Sequence, residues 1–373
     1  MSMAYWDPAT PILETYPGDE LVIRLLDGAH EEQHAFNIVG MSWKKEITNP
    51  DSPVVAAQTI GISEAFNLRV DEPCAAGDYL YYSGGVDDVW LGLWGIIRAY
   101  SEPKDCMLPL CGKREKTPCL TPPPGACIRR FEIAAIQKDL PYNRYGDHDP
   151  DGLLFVPLKD AENIRWSRKQ PIPLILRANA GDWIEVTLHN LFEKEVPYFG
   201  YPSVPLDLRH RPSCRVSLNP QFLRYDPVMS SGLNVGYNDM EQTVAPGKRI
   251  RYLWHADKEY GTCLLRSFGN LRNHKYHGLF GAIIIEPPGA KYYRTLAPVE
   301  KNHEVQSVIA APGMEPFREF VLFAHNGICM MDREGNLVKT TEAGELHGAH
   351  GEVDHEDTGE KASITDPSGS ITA

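Results

Sequence analysis

The chain consists of short apolar runs separated by turn residues, with no long stretch of helical periodicity. Runs that are rich in β-branched and aromatic residues and bounded by Gly, Pro, Asn and Asp are typical of β-strands. In the first hundred residues we predict strands in five such runs, at residues 22–26, 34–43, 63–70, 79–82 and 93–97. Short strands at this regular spacing predict an antiparallel β-sandwich over about residues 11–100.

A second group of apolar runs begins after the first hundred residues. We predict further strands at residues 129–136, 173–177, 180–188 and 278–287. Gly181-Asp182 comes just before a strand-like apolar run, as Gly18-Asp19 does at the opening of the first group. This recurrence is a weak internal repeat, of the kind that duplicated domains leave. The pattern therefore predicts a second β-rich domain.

Composition divides the chain into five segments. We predict a first domain over residues 1–100, a Pro- and Cys-rich linker over 101–127, and a second domain over 128–290. Residues 291–339 read as a connector and an incomplete third β element, whose strand-like run either pairs with an earlier sheet or belongs to a larger architecture. Residues 340–373 are acidic and nearly free of apolar side chains, which is typical of a disordered tail.

Charge and composition exclude several classes of partner. The 373 residues include 50 acidic and 37 basic side chains, for a net charge of -13, so we expect no nucleic-acid partner. No apolar run approaches the roughly 20 residues that span a bilayer, and the N-terminus lacks a signal-peptide pattern. We therefore expect no membrane partner and a cytoplasmic location. Four of the eight cysteines lie in the linker without a Cys-x-x-Cys pair, which favours free thiols or linker disulfides over a zinc site.

Several motifs resemble the cupredoxin domains of multicopper oxidases. Residues 34–41 (His-Ala-Phe-Asn-Ile-Val-Gly-Met), 77–81 (Gly-Asp-Tyr-Leu-Tyr) and 92–97 (Gly-Leu-Trp-Gly-Ile-Ile) resemble the last domain of these enzymes. Residues 181–186 and 278–287 resemble the first domain, and this order is similar to that of the large bacterial oxidases related to manganese oxidase. The resemblance implies an all-β fold of tandem cupredoxin-like Greek-key β-sandwiches. It also implies copper as cofactor and an oxidoreductase that uses dioxygen.

The resemblance also shows that most copper ligands of the family are replaced in this chain. A type 1 copper takes two histidines and a cysteine thiolate with a weak axial ligand, and a trinuclear cluster takes further histidines. His34 matches one type 1 histidine. Other residues stand at the remaining positions: Ser83 for the thiolate, Asp88 for the second type 1 histidine, Leu93 for the axial ligand, and Asn37, Val39, Tyr82, Gly84, Phe268 and Asn270 for cluster histidines. Asn219 is where we expect one more cluster position.

A few other residues are candidates for a site on their own chemistry. His34 reads either as a metal ligand or as a core histidine bonded to backbone. His274 and His277 have the i, i+3 spacing of a metal pair, or belong to a polar turn. The cluster Asp147-His148-Asp149 falls in a turn-rich stretch that we expect to be an exposed loop. Met41 and Met240 read as packing residues, and the tail histidines His347, His350 and His355 as part of a solvated acidic segment.

Three hypotheses about function follow from these residues. In the first, the chain is a multicopper-oxidase-type oxidoreductase whose copper sites are completed by other domains or by unrecognised residues, and its expected partners are further cupredoxin domains or a second copy in a homo-oligomer. In the second, it is a copper-poor cupredoxin scaffold or binding protein without catalysis. In the third, it is a non-copper enzyme with its site in the cleft between domains. The ligand count favours the second hypothesis as chemistry, and the resemblance favours the first.

Overall fold

The computed structural model describes residues 7–28, 33–71, 73–85, 88–89, 91–108, 110, 120–167, 171–193, 213–271, 273–294, 297–300, 305–325, 331–335 and 371–372. The regular secondary structure of these residues is almost wholly β-strand. Helical structure consists of a 3-10 turn at Leu158–Asp160 and two short helices at Ala161–Trp166 and Asn273–Tyr276. In the ranges just given, no helix is long and apolar enough to cross a membrane.

The first nine strands form a sandwich of two sheets. They are β1 (Leu13–Thr15), β2 (Leu21–Leu26), β3 (His34–Ile38), β4 (Trp43–Lys44), β5 (Val54–Val55), β6 (Ala57–Ile60), β7 (Ala65–Val70), β8 (Gly77–Ser83) and β9 (Trp94–Ala99). One sheet has the order β1-β9-β8-β3-β6 and the other β2-β7-β4-β5. The core between them contains Ile38, Trp43, Leu68, Tyr79 and Ile97. The predicted strands of this half are present, with their ends shifted by a few residues.

The next ten strands form the second sandwich. They are β10 (Ile128–Gln137), β11 (Leu140–Pro141), β12 (His148–Asp149), β13 (Leu153–Pro157), β14 (Leu174–Asn179), β15 (Trp183–Asn190), β16 (Asn219–Pro220), β17 (Arg249–His255), β18 (Gly261–Arg266) and β19 (Phe280–Glu286). One sheet has the order β13-β10-β15-β17, the other β14-β19-β18-β16, and β11 pairs with β12. The parallel pair β14–β19 is buried along nearly its whole length, which explains its continuous apolar sequence.

The C-terminal part of the described chain forms a further sheet. It contains β20 (Lys291–Arg294), β21 (Ala297–Glu300), β22 (Gln306–Ala310) and β23 (Phe317–Phe320), in the order β21-β20-β22-β23. The run at 318–324, read from sequence as one strand, divides into β23 and β24 (Phe323–Ala324), and β24 pairs with β25 (Ile371–Thr372). The predicted disordered tail lies outside the described residues apart from β25. The domain boundaries given above stay predictions.

Asp78, at the start of β8, links the two sandwiches through a buried hydrogen-bond network. Its carboxylate accepts bonds from Arg98 Nε at 2.7 Å, Arg98 Nη2 at 2.8 Å and the Tyr237 backbone N at 2.7 Å. Asn238 bonds both the backbone N–H and the backbone carbonyl of Asp78, each at 2.9 Å. Gly236 has φ +54°, and a Cβ there would lie 1.6 Å from Asp78 Oδ2, so the approach requires glycine.

We expect Asp78→Ala to lower the free energy of unfolding by about 3–5 kcal/mol, because it leaves Arg98 and the Tyr237 N–H without their buried acceptor. Urea denaturation at neutral pH measures this difference. Asp51→Ala, at an exposed aspartate of the first sandwich, is the matched control and should change stability by less than about 0.5 kcal/mol. Equal stability of the two variants would contradict the role given to Asp78.

A second buried charge cluster attaches the C-terminal sheet to the second sandwich. Arg177 on β14 is fully buried and forms ion pairs with Glu286 on β19, at 3.4 Å, and with Glu319 on β23. Burial, and then the nearby Glu319 carboxylate, raise the pKa of Glu286 to about 7, whereas Arg177 opposes that rise and Glu259 adds to it. Val321 and Phe323 pack beside this cluster on Ile175, Ala282 and Ile284. One arginine therefore faces two carboxylates when both are ionised.

We expect Glu286 to make the folded chain less stable as pH rises. Its pKa is raised by folding from 4.5 to about 7, so its contribution is fully present below 4.5 and is lost as pH rises to about 7. Urea denaturation of the wild type and Glu286→Gln, at about pH 5 and about pH 8, measures this contribution as the difference between the two proteins. The wild type should lose more stability than the variant between these pH values, and parallel pH profiles would contradict the prediction.

Candidate functional site

Three of the type 1 positions lie together at one end of the first sandwich. Asp88 Oδ2 lies 3.0 Å from His34 Nδ1 and also accepts a hydrogen bond from Ser83 Oγ. The Ser83 oxygen in turn accepts the Ala35 backbone N–H at 3.2 Å. His34 begins β3 and Ser83 ends β8, and the pairing of these two strands brings the side chains to the same end of the sheet. His34 is therefore bonded to a carboxylate rather than to backbone alone.

The backbone of the following loop holds this cluster in place. Leu93, the axial position, donates its N–H to the Asp88 carbonyl at 2.8 Å and accepts the Ser83 N–H at 3.2 Å, with its side chain exposed. Gly84 donates its N–H to the Ala35 carbonyl at 2.7 Å. These backbone bonds hold the described part of the loop against the ends of β3 and β8.

The donor set of this cluster does not fit a type 1 copper. Such a copper needs a thiolate to pass single electrons between its two oxidation states. Here the corresponding atoms are a serine hydroxyl oxygen and a carboxylate oxygen, beside the single imidazole of His34. Both oxygens are hard donors, and the Ser83 hydroxyl hydrogen is given to Asp88. We derive no copper step through these residues.

The same cluster also lacks the arrangement of a serine hydrolase. In a Ser-His-Asp triad the histidine lies between the other two and removes the proton from serine. In this chain Asp88 lies in the middle and bonds both His34 and Ser83. In the described cluster the hydroxyl of Ser83 donates to the Asp88 carboxylate rather than to an imidazole base.

A second group of predicted positions lies between the two sandwiches. Tyr82, from β8, meets Phe268, just after β18, in an edge-to-face contact with ring centroids 6.0 Å apart. The Arg266 guanidinium donates from Nη1 to the Tyr82 hydroxyl at 2.5 Å and from Nε to Asn219 Oδ1 at 3.3 Å. Its central carbon lies 5.6 Å from the Tyr82 ring centroid and 5.0 Å from that of Phe268. We call Tyr82, Asn219, Arg266 and Phe268 the arginine cluster.

Arg266 is the residue that the sequence reasoning missed. The motif comparison placed Tyr82, Asn219 and Phe268 at cluster histidines but gave no role to the arginine among them. A usable signal was present, because Arg266 and Phe268 are two residues apart and share one face of an extended segment. Since copper ions are cations, a guanidinium at this position does not fit a trinuclear copper cluster.

The remaining substituted positions are used for local structure. Asn37 is buried and its side-chain amide bonds the Ala35 carbonyl at 2.7 Å. Val39 packs in the apolar cluster beside Leu80. Asn270 Oδ1 accepts the backbone N–H of Asn273 at 3.1 Å, at the start of the short helix.

His274 and His277 are buried in the second sandwich rather than exposed in a polar turn. His274 is fully buried, with Nδ1 2.9 Å from Ser267 Oγ and Nε2 3.2 Å from the Ser213 carbonyl oxygen. Because a carbonyl only accepts, Nε2 carries the proton and Nδ1 accepts from the serine. Burial lowers the pKa of His274 to about 4.

His277 forms a separate buried pair with Asp149, its Nδ1 lying 2.8 Å from Asp149 Oδ2. The expectation of an exposed loop at Asp147-His148-Asp149 was therefore wrong. Asp149 is 1% and Asp147 8% exposed, because β12 pairs with β11 and bridges to Met331. Across the described ranges, no group of three or more His, Cys, Asp or Glu could hold a metal ion.

Comparison with known proteins gives only distant likenesses. No protein-family model matches the chain, and no curated protein matches it. Among solved structures, a copper nitrite reductase from Nitrosomonas europaea is 14% identical, with 75% of this chain and 84% of that chain covered and a TM-score of 0.24. A laccase from Botrytis aclada is 12% identical, with 73% and 52% covered and a TM-score of 0.22. The chain thus spans about half the length of the laccase.

A likeness this low carries no argument about the site. The all-β architecture rests instead on the sheets themselves, each sandwich having its own core between two sheets. The predicted all-β fold of tandem β-sandwiches is confirmed by these sheets, whereas the cupredoxin-like Greek-key assignment rests on the sequence motifs. Which residues form a site, and which cofactor they could hold, depends on the chemistry of the two side-chain clusters described above.

We expect His274 to make the protein less stable in acid. Folding lowers its pKa from 6.5 to about 4, so its contribution is present above 6.5 and is lost as pH falls toward 4, by up to about 3 kcal/mol. Urea denaturation at about pH 7 and about pH 5 should show a smaller acid loss for His274→Gln than for the wild type. Burial also lowers the pKa of His325, so some acid sensitivity should remain. Identical acid profiles of wild type and variant would contradict the assignment.

Proposed function

We propose that this chain is a multicopper-oxidase-like cupredoxin scaffold that acts as a binding protein and does not reduce dioxygen at its former copper positions. The observation that carries the proposal is the bonding of both His34 and Ser83 to Asp88. The carboxylate replaces a metal ion as the group that holds these side chains together.

The arginine cluster supports the same proposal by its charge. A guanidinium repels a unit positive charge 4 Å away by about 4 kcal/mol at the effective dielectric constant of a protein surface, and a copper(II) ion by about twice as much. Arg266 also bonds Tyr82 and Asn219 at two of the positions that the family resemblance assigns to cluster histidines. Copper binding there would require these bonds to break.

The buried cysteines give no substitute for the missing thiolate. Cys74 and Cys263 are buried in the cores, and burial raises the pKa of both thiols. Copper binding needs the deprotonated sulfur, so this shift opposes it. We propose further cupredoxin domains or a second copy of the chain as partners, on the resemblance alone.

Copper content tests the proposal directly. The pure protein is incubated with copper(II), dialysed, and measured for bound copper by mass spectrometry, with visible and EPR spectra of the same sample. We expect far less than one copper per chain and no intense blue band. A blue band from a cysteine-to-copper transition, or stoichiometric copper in the wild type, would overturn the proposal in favour of an oxidase.

A gain-of-function variant sharpens this test. Ser83→Cys with Asp88→His gives His34 a second histidine and a cysteine thiolate as neighbours. We expect this double variant to gain copper and a blue band. Ser83→Cys alone is the matched control and should gain much less, because Asp88 remains a hard ligand. If neither variant binds copper, the loop geometry differs from that of a type 1 site, and the assignment of these positions fails.

A further inference from the structure

The arginine cluster contains a buried hydroxyl donor, that of Tyr82, with no acceptor among the described residues. Tyr82 is 3% exposed, and its hydroxyl oxygen accepts the bond from Arg266 Nη1. Burial raises the pKa of Tyr82, so the phenol keeps its proton at neutral pH. Among the described residues, no acceptor is recorded for that hydroxyl hydrogen. A buried donor left without an acceptor is destabilising, so native structures usually supply one.

Arg266 also has N–H groups without acceptors, and its positive charge has no carboxylate partner among the described residues. A guanidinium has five N–H donors, and the recorded bonds leave its Nη2 group unused. Within the part of the chain that the structure describes, no carboxylate lies within ion-pair distance of Arg266. The two more deeply buried arginines differ in this respect: Arg98 pairs with Asp7 and Asp78, and Arg177 with Glu286 and Glu319. This difference stands out in a chain with 50 acidic side chains.

The surroundings hold these donors rigidly. The side-chain amide of Asn219 donates to the Tyr225 hydroxyl at 3.0 Å and to the Ser231 carbonyl at 2.8 Å, which leaves its oxygen facing Arg266. Ile96, Leu233 and Val235 form the apolar cluster in which Tyr82 lies. Arg266 itself is half-buried, so solvent reaches the cluster from one side. Fixed donors in an apolar setting bind anions more strongly than the same groups in water.

We propose that Arg266 and Tyr82 form a binding site for a small monocarboxylate, placed where the oxidase family has its copper cluster. The site rests on the proposed function, since it needs the position to be free of copper. A carboxylate matches the fork of a guanidinium and can accept the phenol hydrogen as well. The single negative charge of a monocarboxylate balances the positive charge of Arg266, whereas a water molecule supplies no charge. The rings of Tyr82 and Phe268 limit the ligand to a small one.

Acetate is the probe for this site. Isothermal titration of the copper-free protein with sodium acetate, at constant pH and ionic strength, should give saturable binding of one acetate per chain. Arg266→Gln should abolish this binding, and Tyr82→Phe should weaken it about fivefold, which is the value of one hydrogen bond. Arg251→Gln is the matched control, because Arg251 is exposed on the adjacent sheet and pairs loosely with Glu185.

The result that overturns the site is absence of saturable acetate binding, or equal binding by the wild type and Arg266→Gln. If Arg266→Gln fails to fold by circular dichroism, Arg266→Lys replaces it; a point charge without the planar fork should bind measurably but more weakly. Copper content is determined on the same samples. Stoichiometric copper with a blue band would refute the proposed function. Copper-free protein that shows no saturable acetate binding would refute only the carboxylate site.

Discussion

The buried carboxylate of Asp78 is the contact on which the arrangement of the two sandwiches depends. Strand β8 alternates between two environments: Tyr79 packs in the core of the first sandwich, whereas Leu80 and Tyr82 face the second. Asp78 lies on this second face and ties the start of the strand to Tyr237 and Asn238. Because side chains on one face of a strand share its register, fixing Asp78 also sets the position of Tyr82 against Arg266.

The two groups of residues at positions that the motif resemblance assigns to copper ligands are held together in similar ways by different side chains. A metal ion gathers side chains by neutralising and coordinating their lone pairs, and its removal leaves donors and acceptors that need new partners. At the end of the first sandwich, Asp88 supplies an acceptor for Ser83 and a partner for His34. Between the sandwiches, Arg266 supplies donors for Tyr82 and Asn219. The framework therefore persists because these polar groups hold one another.

Sequence alone predicted the parts of the structure that local pattern encodes. The parallel strands β14 and β19 are buried along nearly their whole length, so their continuous apolar sequence indicated strands. Alignment to the family motifs assigned His34, Ser83 and Asp88 to one site, and the fold brings these three residues together. The sheet β20–β23 was incompletely predicted, because its strands are short and partly polar. The pairs Asp149–His277 and Tyr82–Arg266 join residues 128 and 184 positions apart, and no local periodicity carries such contacts.

Arg98, Arg177 and Arg266 differ in how their positive charges are balanced. Arg98 and Arg177 each meet two carboxylates, and such pairs offset the cost of removing a cation from water. Arg266 has a phenol, an amide oxygen and two aromatic rings, which satisfy part of its hydrogen bonding and attract its charge but supply no negative charge. A purely structural arginine at this interface would be stabilised further by a carboxylate at Asn219 or Phe268. Since neutral residues occupy both positions, the charge of Arg266 stays available to an anion.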